Sequence, residues 1–337
     1  MYLFNKNLYE EVVVIAEIGV NHEGSLSKAI EMVGLAAESG VDAVKFQTYD
    51  PWRYASTSDI DRFERVSQFG LTQEDFTLLA RESERLGIGF FSTPLEETSV
   101  KFVDSLSSVI KIASPDMNFE PTIRSAAATG KALIISTGLG TPEEIDQTLG
   151  WVQDEIGSAE LRDRVVLLHC VSAYPTPLED INLLSIPYLA DRYPVHVGFS
   201  DHTIGLQAAR AAIALGATVV EKHFTDNNVG REFRDHELSA NPKQMKELVE
   251  DARAIKGALG TLGKGRSPSE IANLIPLRKG VVAARDLAEG TILASDDLMF
   301  ARPSTEISAD RIDEVIGKQL KVSLKKGNLI PSNTLDG

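Results

Sequence analysis

The sequence predicts an α/β fold, a (β/α)₈ TIM barrel followed by a small β-rich domain. Three observations carry that prediction. Eight short apolar, β-branched runs recur before residue 224, each ends in an ionisable or hydroxyl-bearing group, and each is followed by a stretch that reads as helical. A buried parallel strand has no use for a charge at its end unless something polar is held there.

The runs are VVVIAEIG, DAVKFQ, IGFFST, SVIKIAS, ALIIST, VVLLHC, VHVGFSDH and TVVEKH. Their end groups are Glu17, Lys45 with Gln47, Thr93, Lys111 with Ser114, Ser136, His169, Ser200 with His202, and Glu221 with His223. Between them, residues 26–39 are apolar at helical spacing and stop at Gly40. Thr72 with Asp75 three residues on resembles a capping box, and Gly87 closes that helix. Thr141-Pro142-Glu143-Glu144 combines an N-cap, proline at N1 and acids in the first turn. Residues 205–215 are Ala-rich and end at Gly216. A doubly wound sheet is the alternative, but eight units without a dinucleotide glycine fingerprint favour the barrel.

The alternation stops near Gly257, where GALGTLGKGRSPSE reads as a linker or exposed loop. The predicted organisation is a barrel over 1–262, a linker over 263–280 and a small domain over 281–337. That domain holds a repeat, LAEGTILASDDL and LKKGNLIPSNTL, which predicts two copies of a glycine turn, a short strand and a capped helical turn. A piece of that size is marginal alone and is expected to dock on something.

The length, 337 residues, exceeds the roughly 250 of a plain barrel and accommodates the extra domain. The formal net charge of −15 disfavours nucleic acid and anionic membranes as partners. A small anionic substrate remains compatible, because a local lysine cluster overcomes a global charge. Cys170 is the single cysteine, which forbids an internal disulfide and fits a reducing compartment. The start, MYLFNKNLYEE, lacks the basic and apolar regions of a signal peptide, and no apolar run approaches the ~20 residues of a membrane span. The expectation is a cytoplasmic protein.

The strand ends suggest three sites. His202 and His223 end neighbouring strands about 4.8 Å apart, so both imidazoles can reach one divalent ion. Two histidines plus water and substrate oxygen suit Mn²⁺, Co²⁺, Zn²⁺ or Fe²⁺ better than Mg²⁺. Two hydrogen-bonded histidines without metal would leave the same trace. Lys45 and Lys111, with Thr93, Ser114, Ser136 and Ser200, describe a cradle for phosphate and carboxylate. A Schiff-base lysine is the competing reading, although one lysine would suffice for it. Glu17 interrupts an apolar strand and is a candidate proton carrier. Asp235, in REFRDHELS, is a second acid that spacing alone would leave as a solvated loop charge. Cys170 is read as a packed small residue with no base obviously paired, and His196, at a strand start, as structural. Trp52, Tyr54 and Phe63 form either a lid or a cover over the core.

Taken together, AEIGVNHEGSLSKA, AVKFQ, STP, KIAS, ISTG, HCVSAYPT, GFSDHT and EKHFT resemble the sialic acid synthases. These include N-acetylneuraminate synthase and its bacterial relatives for legionaminic acid, pseudaminic acid and spore coat polysaccharide. The C-terminal piece resembles their antifreeze-like (SAF) domain. The resemblance implies condensation of phosphoenolpyruvate with an N-acylated amino-hexose, either N-acetylmannosamine or a diacetamido-trideoxyhexose, releasing phosphate through C–O cleavage. It implies a divalent metal on His202 and His223, Mn²⁺ first, with Mg²⁺, Co²⁺ or Zn²⁺ as alternatives. It implies catalytic roles for Glu17, Lys45, Lys111 and Asp235. Substrate contacts would come from Gln47, Thr93, Ser114, Ser136, Ser172, Tyr174 and Ser200. Arg302, in FARPS, would serve a second subunit's site in a domain-swapped homodimer.

Three places depart from the family pattern: 304–306 after Arg302-Pro303, Ser172 where some members carry Asn, and Phe233-Arg234 before Asp235. They bear on the acceptor sugar. Two rivals remain. An aldose-phosphate synthase needs a second phosphate site, and no second basic cluster is visible. A non-catalytic carbohydrate- or ice-binding protein is disfavoured by the retained ionisable set and the charged C-terminal piece.

Overall fold

The computed structural model describes residues 1–231 and 234–336. The chain divides into two compact units, Met1–Gly260 and Thr261–Gly337.

The first unit is built on a closed barrel of eight parallel strands in sequence order. These are β1 (Val13–Gly19), β2 (Ala43–Thr48), β3 (Gly89–Pro94), β4 (Val109–Ile112), β5 (Ala132–Ser136), β6 (Val165–Cys170), β7 (His196–Asp201) and β8 (Val219–His223). β8 pairs with β1 and closes the ring. Eight main helices follow the strands: α1 (Leu26–Glu38), α2 (Gln73–Arg85), α3 (Glu97–Leu106), α4 (Glu120–Ala128), α5 (Pro142–Ile156), α6 (Ser185–Arg192), α7 (Gln207–Ala214) and α8 (Pro242–Leu259). The expected caps at α2 and α5 are real. Thr72 with Asp75, and Thr141 with Glu144, form reciprocal capping boxes that satisfy otherwise orphaned backbone donors.

Two apolar layers hold this unit together. Outward strand residues such as Val14, Val44, Ile110, Leu133 and Val220 pack against Met32, Leu79, Val100, Ile123 and Leu248 of the helices. Inward residues Val13, Ile15, Ala43, Phe91, Val109, Ile134, Val166, Leu168 and Val219 fill the lower interior. An N-terminal hairpin, Tyr2–Leu3 with Lys6–Asn7, adds Leu3 and Leu8 to that layer. Period-two alternation thus puts one set of side chains inside and the other under the helices.

In the second unit, β9 (Gly280–Ala283) pairs antiparallel with β10 (Leu298–Ala301), and β11 (Gln319–Leu320) with β12 (Leu335–Asp336). The repeat is structural: Gly290 and Gly327 both take positive φ, +83° and +85°, and each repeat contains a 3₁₀ turn, Ser295–Asp297 or Ser332–Thr334. Leu287 and Leu324, equivalent in the two copies, bridge each other. The order within a repeat differs from expectation. The named strand follows the helical turn, and the segment after each glycine makes isolated bridges, Ile292 to Gln319 and Leu329 to Val282. The stretch read as linker holds two short exposed helical turns, Pro268–Ile271 and Leu274–Leu277. Among the described residues, no helix is long and apolar enough to cross a membrane.

Candidate active site

The strands place their polar ends at one rim. Register aligns Glu17 with Lys45 and with His223, and Cys170 with Ser200. At this level the barrel interior turns from apolar to charged. Lys45 Nζ sits 2.9 Å from Glu17 Oε1 and 3.9 Å from Glu221 Oε1, and donates to Thr93 Oγ1 at 3.3 Å. Lys111 Nζ donates to Ser136 Oγ at 2.7 Å and lies 3.7 Å from Glu221 Oε1. Ser200 Oγ donates to the same carboxylate oxygen at 3.0 Å. Two lysines and two glutamates, none more than 5% exposed, therefore share one buried chamber.

Burial sets the electrostatics of this group, and the neighbours correct it. Burial pushes Glu17 up; Lys45 pulls it back only in part, so the acid stays above its ordinary range. Burial also penalises Lys45, but Glu17 and Glu221 outweigh that and hold its ammonium charged. Lys111 stays below its usual range: burial dominates, and Glu221 compensates incompletely. Burial would raise Glu221, yet Lys111 and Lys45 draw it down. One oxygen on each glutamate, Oε2, is buried without a hydrogen-bond partner. Such atoms are costly unless a ligand or proton completes them.

Beside this chamber are the histidines. The His202 and His223 rings stand 5.3 Å apart and nearly edge to face, with Tyr174 stacked on His202 at 4.2 Å. His202 Nδ1 donates to Val171 O at 2.8 Å, which leaves Nε2 to take a proton or a metal. Burial opposes charge on this ring, but Cys170 and the Val171 carbonyl outweigh it and raise its pKa. Burial, with His202 and Lys45 nearby, holds His223 well below its ordinary pKa, and its Nδ1 is buried without a partner. A neutral imidazole with an orphaned nitrogen, beside one whose tautomer is fixed, is a donor set that fits a divalent ion. Among the described residues, no group of three or more His, Cys, Asp or Glu side chains could hold one. Were an ion held by these two histidines, water and substrate could complete its coordination.

The hydroxyls of Ser114 and Ser172 converge on Gly138. Gly138 N–H donates to Ser114 Oγ at 3.0 Å, and Ser172 Oγ is buried without a partner. A Cβ at Gly138 would meet Ser172 Oγ at 2.5 Å and Ser114 Oγ at 2.8 Å, so only glycine keeps this turn open. Gln47 lies on the other side: a Cβ at Gly19 would come within 3.6 Å of its Nε2 and 3.0 Å of Glu17 Oε1.

Asp235 lies on a short helix, Arg234–Leu238, in the loop after β8, and its charge bears on the Tyr174 phenol. The neighbouring His236 anchors that helix by meeting Glu23 Oε1 at 2.9 Å and Thr225 Oγ1 at 2.7 Å. Phe233 lies outside the described residues. Arg302 belongs to the second unit, where it is exposed, donates from Nε to Leu277 O at 2.5 Å and precedes a cis proline.

Of the other expectations, some hold and some need correction. Cys170 is a buried free thiol as expected, but it is not isolated: its Sγ is 3.8 Å from His202 Nδ1, the nitrogen whose hydrogen points to Val171 O, because β6 and β7 run in register to the same rim. His169 turns outward, meeting Ile181 O and stacking on Phe199, so it is no part of the chamber. His196 sits at the opposite barrel end against the Tyr9 ring. Trp52 is 74% exposed on Phe63, and Tyr54 packs on Tyr49, so this loop does not cover the core. Two acids escaped the candidate list. Glu221 was visible as a strand-end charge, but only its position facing both lysines marks its role. Asp116, just after β4, is pushed up to about 6 by burial, with Lys111 opposing.

Comparison with known proteins places these features in a family. Residues 32–264 match the NeuB family and residues 278–335 the SAF domain. The chain is 35% identical to the N,N'-diacetyllegionaminic acid synthase of Legionella pneumophila, over 94% of this chain and 92% of that one. It is 31% identical to the pseudaminic acid synthase of Campylobacter jejuni, over 98% of both chains. Among solved structures, the N-acetylneuraminic acid synthetase of Leptospira borgpetersenii, in complex with citrate, superposes with a TM-score of 0.73. It is 31% identical, covering 78% of this chain and 90% of that one.

Proposed function

The chain belongs to the NeuB family and carries a SAF domain, and on that premise we propose that it condenses phosphoenolpyruvate with an N-acylated amino-hexose. The products are a nonulosonic acid and phosphate. The observation that carries the reading is the buried chamber of Glu17, Lys45, Lys111 and Glu221 next to the His202–His223 pair.

Lys45 and Lys111 come from β2 and β4 and meet the phosphate and carboxylate of phosphoenolpyruvate. Thr93, Ser136 and the Gly138 turn with Ser114 and Ser172 add donors around them. Glu221 balances the lysines while the chamber is empty of anion, so neither is left as a lone buried charge. Glu17, with its raised affinity for a proton and an unpartnered Oε2, holds or takes the proton of the water that adds at C2. C3 of phosphoenolpyruvate forms the new bond to the sugar aldehyde carbon, whose oxygen becomes a hydroxyl by gaining the proton that the water gives up on adding at C2. The C2–O bond to phosphate then breaks, the C2 hydroxyl loses its remaining proton to the departing phosphate, and the keto group forms as phosphate leaves onto the lysines.

His202 and His223 would hold a divalent cation, Mn²⁺ first. When bound, it supplies Lewis-acid polarisation of the acceptor carbonyl. Tyr174, stacked on His202, lies where the acceptor would approach, and Asp235 bears on it from the loop after β8. The same reading has a homodimer in which Arg302 of one copy serves the acceptor side of the other copy's site. A cytoplasmic enzyme is in keeping with Cys170 being a buried free thiol.

The test is phosphate release from phosphoenolpyruvate with Mn²⁺. The panel is N-acetylmannosamine, the two diacetamido-trideoxyhexoses and phosphorylated aldoses. Release with one N-acylated sugar, abolished by EDTA and by His202→Ala, supports the reading. Release only with a phosphorylated aldose would overturn the substrate class. Mixing inactive Arg302→Ala and Glu17→Gln subunits should restore activity if Arg302 acts across a dimer.

A further inference from the structure

One buried ion pair takes part in none of these steps. Asp201 ends β7, and Lys222 lies opposite it in register on β8. Their neighbours Ser200 and Glu221 face the chamber, so Asp201 and Lys222 face outward, under the helices. Both are sealed from solvent, at 0% and 1% exposure. Lys222 Nζ lies 3.1 Å from Asp201 Oδ2 and also donates to the carbonyl oxygen of Thr203. Asp201 Oδ1 accepts the Thr203 N–H at 2.8 Å.

The barrel wall has no need of charge at this level. The outward positions in register with Lys222 across β1, β2 and β3 hold Ala16, Val44 and Phe90, all in the apolar layer. A buried ion pair is no more stabilising, as a rule, than well-packed apolar residues of the same volume, so stability does not account for it. Its place in the chain does. Asp201 and Thr203 flank His202, and Lys222 precedes His223. One ammonium therefore ties both sides of the peptide carrying one imidazole to the strand end carrying the other.

We propose that Asp201 and Lys222 are positioning residues that fix the His202 and His223 rings relative to each other. The proposal rests on the reading of that pair as a metal site, where supports behind the ligands set affinity. Neither residue touches substrate or ion. Their effect is that both rings are aimed before anything binds.

The test is a double variant, Asp201→Leu with Lys222→Met, which removes both charges together and leaves no lone buried ion. Three quantities are measured on full-length protein: the thermal midpoint, phosphoenolpyruvate affinity, and Mn²⁺ affinity from the spin-resonance signal of the free ion. Lys222→Arg is the conservative control. The expected result is a midpoint and phosphoenolpyruvate affinity near wild type, with Mn²⁺ affinity about 10–100-fold weaker, and largely recovered in Lys222→Arg. A folded double variant that binds Mn²⁺ as tightly as wild type overturns the proposal. If the double variant does not fold, Asp201→Asn carries the same readouts with a smaller expected loss. If wild-type protein binds no Mn²⁺, the metal reading fails separately. The positioning role is then decided by the His202 Nδ1–H resonance in metal-free protein. Its loss in the variant supports the clamp, and its persistence overturns it.

Discussion

The two ends of the barrel interior differ by one step of the same strands. Ile15, Ala43, Phe91, Val109, Ile134, Leu168 and Val219 form the dry lower layer. Two residues further on, the same strands carry Glu17, Lys45, Thr93, Lys111, Ser136, Cys170 and Glu221. On β7 the step runs from Gly198 to Ser200. A Cβ at Gly198 would meet Val219 O at 2.3 Å, so the lower layer there has room only for backbone. The lower layer is packed apolar contact that stabilises the fold. The upper layer buries four ionisable groups, which as a rule stabilise a fold no more than well-packed apolar residues would. One fold thus separates its stability from its chemistry along the barrel axis.

The largest expected effect breaks that division from below. Phe91 is fully buried and packs on Phe4 at a ring separation of 5.4 Å. Phe91→Ala should cost about 3–5 kcal/mol in chemical denaturation. The kcat/KM of the folded fraction should stay within a few-fold. An activity loss larger than the stability loss would show that the layers are not independent.

Lys111→Met probes the layer above. If Lys111 binds the substrate anion as proposed, its removal should lower kcat/KM by about 10²–10³-fold, while the thermal midpoint moves less than in Phe91→Ala. Unfolding of this variant would place the lysine among the stabilising groups instead.

A pH series compares the ends through their histidines. His22 near the upper rim and His196 at the lower are both pushed down to about 4, burial being the main cause. A depressed histidine contributes stability above pH 6.5 that is lost as pH falls toward 4. His22, 2% exposed, accounts for on the order of 3 kcal/mol of that loss. His22→Gln should flatten the stability profile between pH 6.5 and 4, and an unchanged slope would refute the assignment.

The smallest effect is outside the barrel. Thr141 caps α5 and receives the Glu144 backbone N–H. Thr141→Ala should cost about 1 kcal/mol, leaving activity unchanged.

Much of this was legible in the sequence, because each signal is local. Period-two apolar runs mark strands, and a charge at the end of an apolar run marks the polar rim of the barrel. The capping boxes at Thr72 and Thr141 are written within four consecutive residues. The C-terminal repeat was legible as composition. Its strand order was not, because short strands there are decided by pairing between Leu287 and Leu324 or Val282 and Leu329, far apart in the chain.

By itself the sequence determined the eight-fold alternation, the ring of strand-end polar groups and the histidine pair. These depend only on which residues follow which. Tertiary structure alone decided which groups face each other. Glu221 lies between two lysines from strands over a hundred residues away, Cys170 beside His202, and Lys222 against Asp201 behind the imidazoles. His169, equally suggestive as a strand-end residue, turned outward to Ile181 O. Register and strand tilt choose the inward face and the partner, and both are fixed only when the barrel closes.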